Sequence, residues 1–283
     1  MTGTEPPPAR RARNEVSSRS RLAPLTSLAP EARDIRGVLF DVDDTVTRGG
    51  VLDPDAYAAI HALARAGLTL LCATGRPLGW ADLFARMWPV RAAVGENGAG
   101  WAWRDGERVR EGYAQTPSER ETAARLLDRI RERAAERFPD VPVTGDHRAR
   151  RCDLAFDIGE SHEVPRTRVE ELVAMVEEEG ARASVSSVHV HAIPGAWDKV
   201  TGAIGAARDA LGVDLVADEG NWLFVGDSGN DAAAFAFFRH SVGVANVRGH
   251  LHRLPVPPAY VTAGDRGTGF AELARALLDA RGD

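Results

Sequence analysis

The sequence predicts an α/β fold, a doubly wound and mostly parallel sheet carrying a second, inserted α/β unit. Three observations lead there. From position 35, short apolar runs alternate with helix-like segments of ten or more residues, the pattern of βαβ units. A hairpin signal and two amphipathic or charged helical segments interrupt that alternation after residue 98. It resumes at Lys199, so the core is expected in two pieces, 35–98 and 196–283, around an inserted cap at 99–195.

The elements follow in order. Gly37-Val38-Leu39-Phe40 reads as a buried strand ending at Asp41. Asp53-Pro54 starts a helix that Gly67 stops, and 68–73 is the next strand. A helix follows Pro77, then a strand over 92–94. In the insertion, Trp101-Ala102-Trp103 and 109–113 flank Asp105-Gly106 as a hairpin. A charged helix spans 118–138, a strand 154–158, and an amphipathic helix 167–179 before Gly180. Residues 184–193 read as one alternating strand. Past Lys199 come a helix to Leu211, strands at 222–225, 242–245 and 259–262, a helix over 231–238, and a last helix from Thr268.

Composition narrows the functional classes. A net charge of -6 disfavours nucleic acid, whose binding rests on Lys and Arg neutralising phosphates, but leaves a small anionic substrate open. Cys72 and Cys152 provide no disulfide or zinc framework, which fits a reducing cytoplasm. No apolar run approaches the roughly 18 residues of a membrane span. Residues 1–34, with Pro6-Pro7-Pro8, arginines and serines, read as a disordered tail. A transit peptide is the alternative there, opposed by Glu5, Glu15 and the prolines.

Ligands of open α/β sheets bind beyond the carboxyl ends of the strands. Three predicted strands end in polar clusters: Asp41-Val42-Asp43-Asp44-Thr45, Thr74-Gly75-Arg76, and Gly226-Asp227-Ser228-Gly229-Asn230-Asp231. A helix cap or a turn explains each of the first two alone, whereas the third, two glycines and four polar residues directly after an apolar strand, is hard to justify as packing. Together, in a parallel sheet, they form one site. Asp41, Asp43, Asp227 and Asp231 would repel one another without a cation, and all-oxygen ligands suit magnesium. A carboxylate can serve as nucleophile, and a second one two residues away as acid and base.

On these residues the chain resembles the haloacid dehalogenase superfamily, in the phosphatase branch with a large α/β cap (type IIB, the Cof-like and sugar-phosphatase group). Asp41 to Thr45 matches D-x-D-x-T, Thr74-Gly75-Arg76 the second motif, Asp198-Lys199 the third, and Gly226 to Asp231 matches G-D-x-x-N-D. The resemblance implies a Rossmann-like core and Mg2+-dependent hydrolysis of a phosphomonoester through an aspartyl-phosphate. It makes Asp41 the nucleophile and a metal ligand, and Asp43 the acid/base, which binds the metal through its backbone carbonyl. Thr74 and Lys199 would hold the phosphoryl group, and Asp227 would ligate the metal. Asn230 and Asp231 would support the phosphate and metal shells. Asp44 departs from the pattern, since glycine is frequent there.

The expected partner is a small phosphorylated metabolite, with a sugar phosphate favoured by similarity around Val188-His189-Val190-His191, and the chain is expected as a monomer or homodimer. Asn97 is a candidate substrate contact or a plain turn residue. Arg76 either meets substrate or pairs with a core carboxylate. His189 and His191 share one face of a strand and either face the cleft, pack in the cap or bind zinc. Trp101 and Trp103 read as cap core, with a sugar platform or dimer contact as alternatives. A phosphosugar mutase of the same branch would carry the same motifs. A non-catalytic binding protein would be expected to have lost one of Asp41, Asp43, Lys199 or Asp227, and none is missing.

Overall fold

The strand Gly37–Asp41 is buried at every residue, so its side chains must be covered on both faces. In the computed structural model Val38 and Phe40 point into one apolar layer with Leu70, Cys72, Leu223 and Val225. Leu39 points into the opposite layer with Leu71, Val94 and Phe224. The structure describes residues 22–161, 163–186 and 188–282, without the side chains of residues 29 and 30.

The described strands are β1 (Ala23–Pro24), β2 (Gly37–Asp41), β3 (Thr47–Arg48), β4 (Val51–Leu52), β5 (Thr69–Ala73), β6 (Ala92–Gly95), β7 (Gly100–Asp105) and β8 (Arg108–Tyr113). They continue with β9 (Leu154–Asp157), β10 (Arg182–Val185), β11 (His189–Ile193), β12 (Trp222–Gly226), β13 (His240–Gly243) and β14 (Tyr260–Val261). The main sheet runs β1-β14-β13-β12-β2-β5-β6-β7-β8. It is parallel from β1 to β6, and β7 and β8 add antiparallel. From β2 the chain proceeds outward to β5 and β6. From β12 it proceeds the other way, to β13 and β14. The order therefore reverses between β2 and β12, where such sheets open a crevice at their carboxyl ends.

Local chemistry sets the helices around this crevice. Asp53 accepts from the Asp55 amide and Pro54 occupies the first turn of Pro54–Arg65. Asp198 accepts from the Thr201 amide and caps Lys199–Leu211, which ends at Gly212 with φ 67. In the insertion, helices Pro117–Arg137 and Arg166–Glu178 cover one face of the sheet β10-β11-β9, burying Ile130, Phe138, Leu172 and Met175 against Leu154, Phe156, Val190 and Ala192. Strand alternation places His189 and His191 on the other face, opposite Asp157 and Ala155.

Three sequence expectations are corrected, and one hairpin is added. Residues 22–34 are not a tail: Ala23 and Pro24 pair with Tyr260 and Val261, and Leu25, Leu28 and Ala32 are buried in the core. Residues 1–21 of the expected tail lie outside the described residues. The Trp101 hairpin belongs to the main sheet rather than the cap. Its indole packs where Gly112 and Gly205 carry no Cβ and donates from Nε1 to Asp209 at 3.0 Å. The expected single strand 184–193 is a hairpin, because Ser186 Oγ accepts from the Val188 and His189 amides and turns the chain. A further hairpin, β3-β4, turns at Gly49-Gly50 with φ 57 and 77, a two-glycine signal that the sequence reading passed over.

The ordered segment before β2 yields a prediction. Leu28 has no exposed surface, so Leu28→Ala is expected to cost about 2–5 kcal/mol in urea unfolding; a free tail would give no change.

Candidate active site

The carboxyl end of β2 places Asp41 in a buried position, 3% exposed. Lys199, the first residue of its helix and wholly buried, donates to Asp41 Oδ1 at 2.5 Å and to Asp231 Oδ1 at 2.7 Å. The other Asp231 oxygen accepts from the Asp227 and Ser228 amides at 2.8 and 3.1 Å, closing the loop after β12. Thr45 Oγ donates to Asp41 Oδ2 at 3.1 Å. Asp44 sits at φ 55, a left-handed backbone that favours glycine and that aspartate adopts more readily than most residues. Arg266 and Asn246 hold it there through its carboxylate and its carbonyl oxygen.

Electrostatically the cluster carries more negative charge than one lysine neutralises. Burial pushes the Asp41 carboxyl up to about 7, against the pull of Lys199, and Asp231 adds to the push. Asp227 is driven well above the usual carboxylate range by burial and by Asp41 and Asp231. Burial alone would lower the Lys199 ammonium, but Asp231 and Asp41 hold it above its ordinary range. Asp41, Asp227 and Asp231 each turn one carboxylate oxygen to within 4.8 Å of the others. Asp227 Oδ1 is buried with no partner among the described residues, while Oδ2 accepts from Asn246 at 2.9 Å. An orphaned anionic oxygen beside two further buried carboxylates fits a divalent cation with oxygen ligands.

Asp43 stands apart from this cluster. Arg76 grips its carboxylate through Nε at 3.0 Å and Nη2 at 2.9 Å, and Thr74 Oγ approaches it at 3.4 Å. Arg76 also donates to Glu160 of the insertion at 2.8 Å, and Glu160 accepts His189 Nε2 at 2.9 Å. The Glu160 carboxyl is pulled down to about 2 by the His189 hydrogen bond, against the push of burial, and by Arg76. Arg76 thus pairs with carboxylates of both core and insertion. His189 and His191 are both buried at the inner edge of the insertion. Their rings lie 5.7 Å apart, and each hydrogen-bonds its own carboxylate, His191 Nδ1 to Asp153 at 3.0 Å. Asn230 Nδ2 donates to Asn97 Oδ1 at 3.1 Å, which ties the loop after β12 to the turn after β6. Asp41, Asp43, Gly75, Ser186, His191 and Asn230 border a small pocket of about 10 Å³, with an outer cavity of about 120 Å³ between Gly49-Gly50 and Glu160.

The sequence reading missed the groups that join insertion to core. Glu96, with no exposed surface and φ 49, accepts from four amides: Leu78 at 2.8 Å, Arg151 and Asp153 at 2.9 Å, and Cys152 at 2.6 Å. Arg150 adds a bond to the Gly75 carbonyl at 2.9 Å and to Asp153 at 2.8 Å. A charge directly before Asn97-Gly98 was the available signal for Glu96. Asn246 was findable from its place just beyond β13. Nothing local marked Glu160, whose side-chain partners Arg76 and His189 lie tens of residues away, or the pairing of Asp153 with His191.

No protein-family model matches this sequence, and no curated protein sequence matches it. Solved structures do. Protein 0175 of Thermoplasma acidophilum superposes with a TM-score of 0.65 at 17% identity, covering 86% of this chain and 98% of that one. A Plasmodium vivax protein described as a HAD/COF-like hydrolase gives 0.63 at 17% identity, over 89% and 99%. The sucrose-phosphatase of Synechocystis sp. PCC6803, solved with sucrose and phosphate, gives 0.59 at 18% identity, over 87% and 98%. The fold is thus the haloacid dehalogenase-type α/β fold with its inserted cap, as the motif resemblance implied. Among the described residues no helix is long and apolar enough to cross a membrane.

Two outcomes are expected. Glu96→Ala strands three buried amides and one part-buried amide and is expected to lower stability by roughly 3 kcal/mol or more, with hydrogen exchange accelerated first at residues 151–153. Burial pulls the His191 imidazole down to about 4, so from pH 6.5 downward the unfolded chain takes up a proton that the native fold excludes. Stability should therefore fall between about pH 6.5 and 4, by roughly 3 kcal/mol from this group. His191→Asn should shallow that slope in pH-dependent urea titrations.

Proposed function

We propose that this chain is a phosphatase, a Mg2+-dependent hydrolase of phosphomonoesters acting through an aspartyl-phosphate on Asp41. The observation that carries the reading is the buried set of Asp41, Lys199, Asp231 and Asp227, gathered at the reversal point of the sheet with Asp43 on the same small pocket. Such a concentration of desolvated charge is costly for folding and has a use only if it meets an anion and a cation.

In this reading an Asp41 oxygen attacks the phosphorus, an O–P bond forms, and the bond to the leaving oxygen breaks. Asp43 gives that oxygen its proton. Asp43 then takes a proton from water, whose oxygen attacks the phosphorus and releases phosphate, restoring Asp41. Lys199 and Thr74 offset charge on the phosphoryl oxygens, and Asn230 with the amides after Asp41 orients them. Asp41, Asp227 and Asp231, with the Asp43 carbonyl, would hold magnesium, which supplies the positive charge that lets carboxylate and phosphate approach. The cap face carrying His189, His191 and Ser186 closes over the leaving group and excludes bulk water. The likeness in fold to a sucrose-phosphatase supports a small phosphorylated metabolite, and within that class a sugar phosphate.

Phosphate release from p-nitrophenyl phosphate, with and without Mg2+, tests this. Asp41→Asn is expected to abolish release, and Asp43→Asn to lower it about 10²–10⁴-fold. An Asp41→Asn protein that turns over like wild type would end the proposal.

A further inference from the structure

Arg76 stands among three carboxylates, two of which hold it and one of which does not. Its side chain is 5% exposed and lies over the Trp80 ring, 5.0 Å from the centroid. Nε and Nη2 are committed to Asp43, while Nη1 donates to Glu160 Oε1 at 2.8 Å. Asp43, Arg76 and Glu160 all border the outer cavity. The third carboxylate, Asp146, lies 3.7 Å from the same Nη1 and 3.6 Å from Arg150 Nη2. Both Asp146 oxygens are buried, yet neither makes a hydrogen bond among the described residues. A buried carboxylate without hydrogen bonds is costly, so Asp146 draws on any donor within reach.

Glu160 and Asp146, both from the insertion, thus compete for one nitrogen. Glu160 holds it in this arrangement, with its other oxygen fixed by His189 Nε2 at 2.9 Å. The guanidinium is planar and rigid, so its three nitrogens move together. Bringing Nη1 from 3.7 Å to a hydrogen bond with Asp146 needs a shift of roughly 1 Å. The same shift carries Nε and Nη2 off their present bonds to Asp43. A misplacement of that size at a reacting group costs about 10²-fold in rate.

We propose that Glu160 is a positioning residue for the acid/base Asp43: it holds Arg76 against the pull of Asp146 and so keeps Asp43 aimed at the leaving oxygen. This rests on the phosphatase reading and gives the insertion a part in the chemistry without contact to the phosphoryl group. That part is confined to proton transfer. An alkoxide leaving oxygen takes the Asp43 proton as its bond to phosphorus breaks, whereas p-nitrophenolate keeps the electron pair and leaves without one.

The test compares kcat/KM for benzyl phosphate and p-nitrophenyl phosphate, two aromatic esters of similar size. This constant reports the steps up to loss of the leaving group, not the later hydrolysis of Asp41. In Glu160→Ala the benzyl value is expected to fall about tenfold or more while the p-nitrophenyl value stays within about threefold. The Glu160 side chain is 36% exposed, so this variant is expected to fold. Adding Asp146→Asn removes the competing charge and should restore the benzyl value, and Asp146→Asn alone should leave it unchanged. Equal loss of both esters in Glu160→Ala, no loss of either, or a folded double variant that does not recover overturns the proposal. Should the double variant not fold, the single variant decides alone. Should wild type not turn over both esters, the Arg76 Nε–H resonance decides: it should move in Glu160→Ala, and an unmoved resonance refutes the placement. Hydrolysis of neither ester ends the phosphatase reading as well.

Discussion

A single ammonium holds the centre of this molecule together. Lys199 has no exposed surface and lies between Asp41 and Asp231, which belong to β2 and to the turn after β12. Three constraints meet there. The lysine begins a helix, where the helix dipole disfavours a positive charge, and two carboxylates offset that. Those carboxylates are buried, so losing the lysine would leave them uncompensated, a loss of about 3–5 kcal/mol in such settings. The lysine also stands at the return from the insertion, so both pieces of the core must be in place before the charges can balance.

The insertion is docked by polar contacts and one small apolar cluster of Ala99, Cys152, Ile193 and Trp197. Its helices and sheet enclose their own larger cluster, and its other sheet face carries His189, His191 and Ile193. Docking falls to buried charged groups: Glu96 on three successive amides of the insertion, Arg150 on the Gly75 carbonyl, and Arg76 between Asp43 and Glu160. Such contacts are directional and fully satisfied only in one closed arrangement. Arg76 links the insertion to Asp43, because the group that holds Asp43 also pairs with Glu160.

How much was legible follows from where each signal resides. Asp41, Thr74, Asp227 and Asp231 are each next to a buried apolar run, and the rule for parallel sheets places such residues at one edge. Lys199 was legible through its motif and the helix it begins. Helix limits came within a residue or two where a cap was present, as at Pro54, Pro117 and Gly212. The errors lie where tertiary pairing overrode a local pattern. Alternation over 184–193 looked like one strand because Ser186 is polar in either case. Trp101 looked like cap core because periodicity does not reveal which sheet an edge hairpin joins. Leu25 and Leu28 looked like tail because two apolar residues in a proline-rich start form no pattern.

The sequence by itself determined the fold class, the strand-end carboxylates and the lysine, because local apolar runs and adjacent polar residues are properties of neighbours in the chain. Tertiary structure alone decided the roles of Glu96, Asp153 and Glu160, the capture of Asp43 by Arg76, and the oxygens of Asp146 left without a hydrogen bond beside it. Those depend on which groups burial brings within about 3 Å of one another, the range over which a hydrogen bond is made or left unmade.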